Sequence, residues 1–349
     1  MSGTLLRLAC TAAVAAQAVL APVPAAAEPA PRHTVSQLLT GLQQLYRQAE
    51  AATETYNATA EKLERQRAEV TRLEAELARS RVALQGSRAD AGRLAREQYR
   101  TSSGLGTYVR VLLAPDPQHA LDEGHVIGEL ARERARTVHR LTAAEQRRDA
   151  LARAARAALD TQLTLAGRQQ KQRDEVLTRL ADVDRLLAGL TPDQLATIAA
   201  LERQAVTAAQ QRLTTAGALP TARPASPAGD RAVRYAMEQL GKPYAWGAQG
   251  PGSYDCSGLT SEAWEHAGTP IPRTSQEQWR RLRKVPLNEL RPGDLVVYFP
   301  DATHVAMYVG DGRVVQAPRP GEDVKVSPLA SYPVLGAVRP DQAPATEAR

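Results

Sequence analysis

The 349-residue sequence is short of cysteine, lysine, aromatic side chains and long apolar runs. Aromatic residues make up 4 % of the chain, with a single phenylalanine. That is too few for one large core over this length, so much of the chain is expected as elongated helix. Only five of the 44 basic residues are lysine (Lys62, Lys171, Lys242, Lys284 and Lys325), which with the abundant alanine reads as the coding bias of a G+C-rich genome. The formal net charge is +6, yet residues 230–339 carry 13 Lys/Arg against 12 Asp/Glu. The excess is spread along helical sequence rather than gathered into a patch, so no nucleic-acid partner is expected. No His/Cys/Asp cluster has metal-ligand spacing, and neither metal nor cofactor is expected.

The one apolar run, "LACTAAVAAQAVLAPV" after Arg7, ends at the small-residue stretch Ala25-Ala26-Ala27. Residues 1–27 read as a signal peptide, which makes the mature protein secreted or cell-wall associated. A membrane anchor is the alternative, but the run is short and alanine-rich for a span. Cys10 precedes most of the run, whereas a lipid-attachment cysteine would follow it. The exported chain then keeps one thiol, Cys256, with no partner for an internal disulfide. Such a leftover cysteine points to a reactive thiol or to intermolecular pairing; a buried inert cysteine is the plainer alternative.

From Leu38 a 4-3-4-3 spacing runs without a slip through Leu42, Leu45, Ala49, Ala52, Tyr56, Thr59, Leu63, Gln66, Val70, Leu73, Leu77, Ser80, Leu84, Ser87, Ala91 and Leu94. This is a heptad seam, loosened by its polar members. It predicts a helix over 35–100, about 100 Å long. Gly104, Gly106, Pro115 and Pro117 break it, and a tip is expected near 101–118. A second helix over about 119–189 has a noisier seam that includes Leu130, Leu141, Leu151, Leu159, Val176, Leu180, Val183 and Leu187. "TPDQ" at Thr191 signals a third helix to about Thr215, through a cap, a proline at the first position and a capping-box glutamine. The coiled-coil region is thus 28–216. A Pro/Ala/Gly linker follows over 217–228, spanning on average about 20 Å. From Gly229 tyrosine, tryptophan, valine and turn pairs appear, as in a compact α+β domain (229–340), before a disordered tail, 341–349.

"SYDCSGLTSEAW" places Cys256 in the first turn of a helix, where the dipole and free N–H groups lower a thiol pKa and can hold an oxyanion. A thiol nucleophile needs a base. His33, His119, His125 and His139 fall in the coil, and His266 lies about 15 Å along the nucleophile's own helix. His304, at the start of the strand "HVAMYVG", remains. A hairpin turned at Gly310-Asp311-Gly312 with a three-residue loop would set Val309 opposite Arg313 and put His304 and Gln316 on one face; a two-residue loop would put them on opposite faces.

Together "YAWG", "DCSGL", "PRTSQEQ", "GDLVVYF" and "HVAMYVGDG" resemble, in order and spacing, the NlpC-type cell-wall peptidases over residues 229–339. The resemblance implies a papain-like α+β fold and a thiol peptidase that cuts peptidoglycan stem peptides, commonly between D-glutamate and diaminopimelate. Cys256 would be the nucleophile, His304 the base and Gln316 the third, orienting residue, where many members carry histidine. Tyr244 would help the oxyanion. Asp255, Ser257, Trp246, Arg273 and Ser275 would line the substrate groove, although Tyr244 and Trp246 also suit a core and Arg273 an ion pair. The helical region resembles the regulatory coiled coils of division-associated hydrolases from G+C-rich Gram-positive bacteria, which implies a membrane complex of the FtsE–FtsX type as partner. The coil is expected to restrain or localise the catalytic domain. A CHAP-like N-acetylmuramoyl-L-alanine amidase and a non-catalytic coiled-coil scaffold are the alternatives.

Overall fold

A computed structural model describes residues 34–100, 109, 116–219 and 223–341. The residues read as a signal peptide, most of the expected tip, three linker residues and nearly all of the expected tail fall outside the described residues. Helix α1 spans Val35–Arg100. Helix α2 spans Pro117–Ala188 and is capped by Asp116, whose carboxylate accepts the His119 N–H. The two run antiparallel: Arg179 meets Gln48, Gln66 donates to the Ala158 carbonyl, and Arg88 pairs with Glu145.

The α1 seam is buried where the 4-3 spacing places it, at Leu42, Ala49, Thr59, Leu63, Val70, Leu73, Leu77, Ser80 and Leu84. The α2 seam departs from its pattern. Leu130 and Leu159 are exposed, and Thr137 and Ala158 are buried instead. Close approach to a partner seam explains Ala158, which packs with Val70 and Leu73. A leucine adds roughly 1.5–3 kcal/mol when fully buried, and a threonine or alanine far less, so the hairpin is held at a few points rather than zipped. Its base is one such point, where Leu42, Val183 and Ile198 are buried together. Ile198 belongs to α3, Pro192–Thr215, which opens with the capping box of Thr191 and Gln194.

The catalytic-type domain begins with α4, Pro227–Glu238, capped by Ser226. This helix therefore starts inside the stretch read as linker, because Ser-Pro supplies a cap and a first helical residue there. Helix α5 is Cys256–His266 and α6 is Ser275–Arg281. Six strands follow: β1 Arg283–Val285, β2 Leu295–Tyr298, β3 His304–Gly310, β4 Arg313–Gln316, β5 Lys325–Pro328 and β6 Val334–Arg339. They form one antiparallel sheet in the order β1-β6-β2-β3-β4-β5. Strand alternation separates two cores. Leu295, Val297, Val305, Met307 and Val315 pack with Leu259, Ala263 and Trp264 of α5. Val296, Tyr298, Ala306, Tyr308 and Val314 pack with Leu290 and Leu329, and Leu213 and Leu219 cover them from the α3 side.

The β3–β4 hairpin resolves the register question in an unexpected way. Gly310 pairs with Arg313, so the turn has two residues, Asp311 and Gly312, both with positive φ as a type I′ turn requires. A bulge between Tyr308 and Gly310 then shifts the pairing, so that Tyr308 faces Val314 and Met307 faces Val315. The extra residue undoes the face swap that a two-residue loop alone would impose. His304 and Gln316 share a face.

Candidate active site

The helix that Cys256 begins is fixed by its own first turn. Asp255 is the cap, and its Oδ1 accepts the Gly258 N–H at 2.6 Å. Glycine is required at 258, because a Cβ there would lie 2.2 Å from the Ala248 carbonyl oxygen. Cys256 is the first helical residue, only 3 % exposed, and the Val305 N–H of β3 is bonded to its sulfur. His304 is fully buried at the start of β3, and its Nε2 lies 2.7 Å from Gln316 Oε1. The amide oxygen can only accept, so Nε2 carries the proton and Nδ1 is the nitrogen left to serve a base's role.

Helix α1 fills the site. Glu50 and Glu54, one turn apart, are 5 % and 1 % exposed. Glu50 Oε1 lies 2.9 Å from His304 Nδ1, out of line for an ordinary hydrogen bond but well inside ion-pair range. Glu54 Oε1 accepts the Ser257 hydroxyl at 2.6 Å and lies 3.7 Å from Cys256 Sγ, within the longer reach of a thiol. Its other oxygen accepts the Ser275 N–H at 2.9 Å. Asn57 donates to Asp255 Oδ2 at 3.0 Å, and Tyr56 packs edge-on against Trp246. One face of one helix therefore occupies the base, the thiol and the groove together.

This occupancy reverses the expected electrostatics of the thiol. Burial pushes the Cys256 pKa up, and the neighbouring Glu54, Asp255 and Glu50 push it further. The helix N-terminus that should acidify it is outweighed. Glu54 is itself pushed up to about 7, by burial first and then by the charge of Asp255. Burial opposes an imidazolium at His304, yet Glu50, Gln316 and Glu54 together more than offset it and the net shift is upward. Tyr244 is buried, with its hydroxyl raised by burial and then by Cys256 and the same acids.

The groove residues divide. Arg273 lies against Asp255 as a bidentate pair, Nη1 to Oδ1 at 3.0 Å and Nη2 to Oδ2 at 2.6 Å, and also donates to Ser257 Oγ at 2.7 Å. In this state Asp255 and Arg273 hold each other and the α5 cap, while Ser257 and the Ser275 N–H face the incoming carboxylate of Glu54. The Ser275 hydroxyl is turned away, onto the Ala302 carbonyl. Sequence reasoning missed Glu50, Glu54, Asn57 and also Gln278, which is fully buried and joins Thr260 to the Ser257 and Pro272 carbonyls.

Residues 241–335 match the model of the NlpC/P60 family. A probable endopeptidase of Mycobacterium tuberculosis is 40 % identical over 124 residues, which is 35 % of this chain and 32 % of that protein. A probable endopeptidase of Corynebacterium glutamicum is 42 % identical over 118 residues, 34 % of this chain and 56 % of that one. The peptidoglycan endopeptidase RipA of Mycolicibacterium smegmatis is 39 % identical over 111 residues, 28 % of this chain and 22 % of that one. The chain thus spans from about a fifth to about half the length of these relatives. Among solved structures, the NlpC/p60 domain of the peptidoglycan hydrolase SagA is 32 % identical and matched over 97 % of its length and 32 % of this chain, with a TM-score of 0.30. With the motif order of its sequence and the α+β fold that carries those motifs, residues 241–335 form an NlpC/P60 domain.

Proposed function

We propose that this chain is an exported cysteine endopeptidase of peptidoglycan stem peptides, cutting the D-glutamyl–diaminopimelate bond, and that α1 holds it inactive in the state described. The observation that carries the catalytic reading is the orientation of His304. With Nε2 bonded to Gln316, Nδ1 is the nitrogen directed to the active-site contacts. In the open enzyme, Nδ1 takes the Cys256 proton and the sulfur attacks the stem-peptide carbonyl. The Cys256 N–H and the Tyr244 hydroxyl hold the oxyanion. The imidazolium returns its proton to the leaving amine, and water, deprotonated by the same nitrogen, releases the acyl group as a carboxylate. Gln316 orients the ring without adding charge.

The substrate reading is supported by how Glu54 is held. A carboxylate is accommodated between Ser257 and the Ser275 N–H, beside Arg273. Stem peptides carry free carboxylates close to the scissile bond. The inhibitory reading is supported by Glu50 on Nδ1 and Glu54 beside the thiol, since neither proton transfer nor substrate entry is compatible with them.

Full-length protein carrying Glu50→Ala and Glu54→Ala should be incubated with purified sacculi and the products read by mass spectrometry. A new free amine on the diamino acid is expected. Release of whole stem peptides would mean a muramoyl-alanine amidase, and no product would favour a binding scaffold.

A further inference from the structure

The interface between α1 and the active site holds more acid than base. Three carboxyl groups, Glu50, Glu54 and Asp255, are enclosed with one guanidinium, Arg273, and one imidazole, His304. All five are less than a tenth exposed. A charge left unbalanced at such burial is expensive, and the usual remedy is a proton. The guanidinium balances one carboxylate, and an imidazolium balances a second. The third is balanced only if a carboxyl is protonated.

From this geometry we infer that docking of α1 takes up protons, so that the restraint is an acid-tightened latch that alkalinity opens. The inference rests on the reading of α1 as a restraint. Two groups carry the protons. Glu54 sits between Ser257, the Ser275 N–H and the thiol, facing Asp255 from the cap of α5. His304 sits between Gln316 and Glu50.

The other groups around the contact do not cancel the effect. Arg47, the nearest cation on α1, is half-exposed and paired with Asp301. Arg319 lies outside the cluster, committed to Glu202 and Glu322. Tyr244 is buried and Tyr332 partly so, and their hydroxyl pKa values, raised well above the ordinary value mainly by loss of solvent, keep both phenols neutral.

The sign follows from linkage. Glu54 titrates near the ordinary 4.5 when α1 is undocked and at about 7 when docked, so between those values the docked state alone holds its proton. His304 is likewise raised by docking and releases a proton on opening above its ordinary 6.5. The ratio of open to docked molecules should therefore rise with pH from about pH 5 to beyond 7, at up to roughly tenfold per pH unit for each proton released.

The test is a distance measured without catalysis. In full-length protein with Cys10→Ala and Cys256→Ala, donor and acceptor dyes are placed at Lys62→Cys on α1 and Glu238→Cys on α4, both exposed positions. Energy transfer is followed from pH 5 to pH 8.5. The expected result is a loss of transfer with rising pH, at least tenfold in the open-to-docked ratio across the range. Adding Glu54→Gln, which keeps an acceptor oxygen but cannot ionise, should remove the Glu54 step, leaving a shallower profile set by His304 and a larger docked fraction at pH 8. Adding Glu54→Ala should open it at every pH. A profile that is flat, or that opens toward acid, while Glu54→Ala still opens the chain, would overturn the proton coupling alone. If Glu54→Ala leaves transfer unchanged, the restraint reading fails with it.

Discussion

The catalytic domain is gripped on two sides, and the two grips are chemically unlike. On the active-site side α1 offers Glu50, Glu54 and Asn57, and nearly every contact is polar and ends on a group to which the proposed mechanism gives a role. On the far side α3 offers Leu213, which with Leu219 beyond it covers the second core, and Gln210, which bridges the Gly312 carbonyl and the Ala330 N–H at 3.0 Å each. Glu202 adds a two-pronged pair with Arg319. Apolar burial and main-chain bonding do not depend on charge state, whereas a cluster of buried acids does. The α3 grip has the character of permanent attachment and the α1 grip that of a reversible plug. A chain that opens would then carry α3 along with the peptidase domain.

The sharpest way to break this comparison is to remove the plug. The Glu50→Ala/Glu54→Ala chain should hydrolyse sacculi at least about tenfold faster than the unaltered chain. Adding His304→Ala should abolish that gain, by the roughly 10²- to 10⁴-fold that a general base contributes. Iodoacetamide should alkylate Cys256 slowly in the unaltered chain at pH 7 and rapidly in the double variant, since the acids that raise the thiol are gone. Equal alkylation rates would show that α1 does not control the thiol.

Disturbing the other grip should do something different. Leu213→Ala with Gln210→Ala is expected to destabilise the peptidase domain by about 2 kcal/mol, seen as a lower midpoint in thermal unfolding, with less than a threefold gain in sacculus hydrolysis. If it activates the chain as strongly as loss of Glu50 and Glu54, the two contacts form a single lock and the distinction falls.

A third experiment compares groups within the site. Gln316→Ala, in the Glu50→Ala/Glu54→Ala background, should cost about tenfold in kcat, well below the loss for His304→Ala, because a neutral amide orients the ring and stabilises little charge. Gln316→Glu should keep activity and extend it to higher pH, since a carboxylate behind the ring raises the imidazolium's pKa. An unchanged rate for Gln316→Ala would remove that residue from the site.

The contrast between the grips also marks what could be read from the residues alone. The seam of α1, the Thr191 capping box and the cysteine helix were legible because each is a local pattern with a local cause: spacing, a side-chain oxygen, a run of small residues after an acid. The union of His304 with Gln316 was legible only conditionally. The glycines at the turn leave two- and three-residue loops equally open, and the bulge between Tyr308 and Gly310 that restores the register has no sequence signature beyond those glycines. The plug was not legible. Glu50 and Asn57 follow the seam positions Ala49 and Tyr56, and Glu54 falls between Ala52 and Tyr56, at places where polar residues ordinarily face water. Nothing local separates a solvated acid from one that meets an imidazole more than 200 residues away. The linker's reach implied that the domain stays beside the coil, but not which face it meets.

The smallest expected effect tests where the strength of the plug resides. Arg47 reaches Asp301 at 3.6 Å, with both side chains about half-exposed, and lies over the Phe299 ring at 5.1 Å. An exposed pair of this kind contributes about 0–1 kcal/mol and is screened by salt. Arg47→Ala should therefore raise sacculus hydrolysis by less than about fivefold, and that small gain should disappear when both proteins are compared at high ionic strength. The contacts of Glu50 and Glu54 are enclosed, and salt reaches them poorly. Raising the ionic strength alone should accordingly activate the unaltered chain no further than Arg47→Ala does. Activation by salt to the level of the Glu50→Ala/Glu54→Ala chain would place the hold at the exposed rim and not at the buried acids.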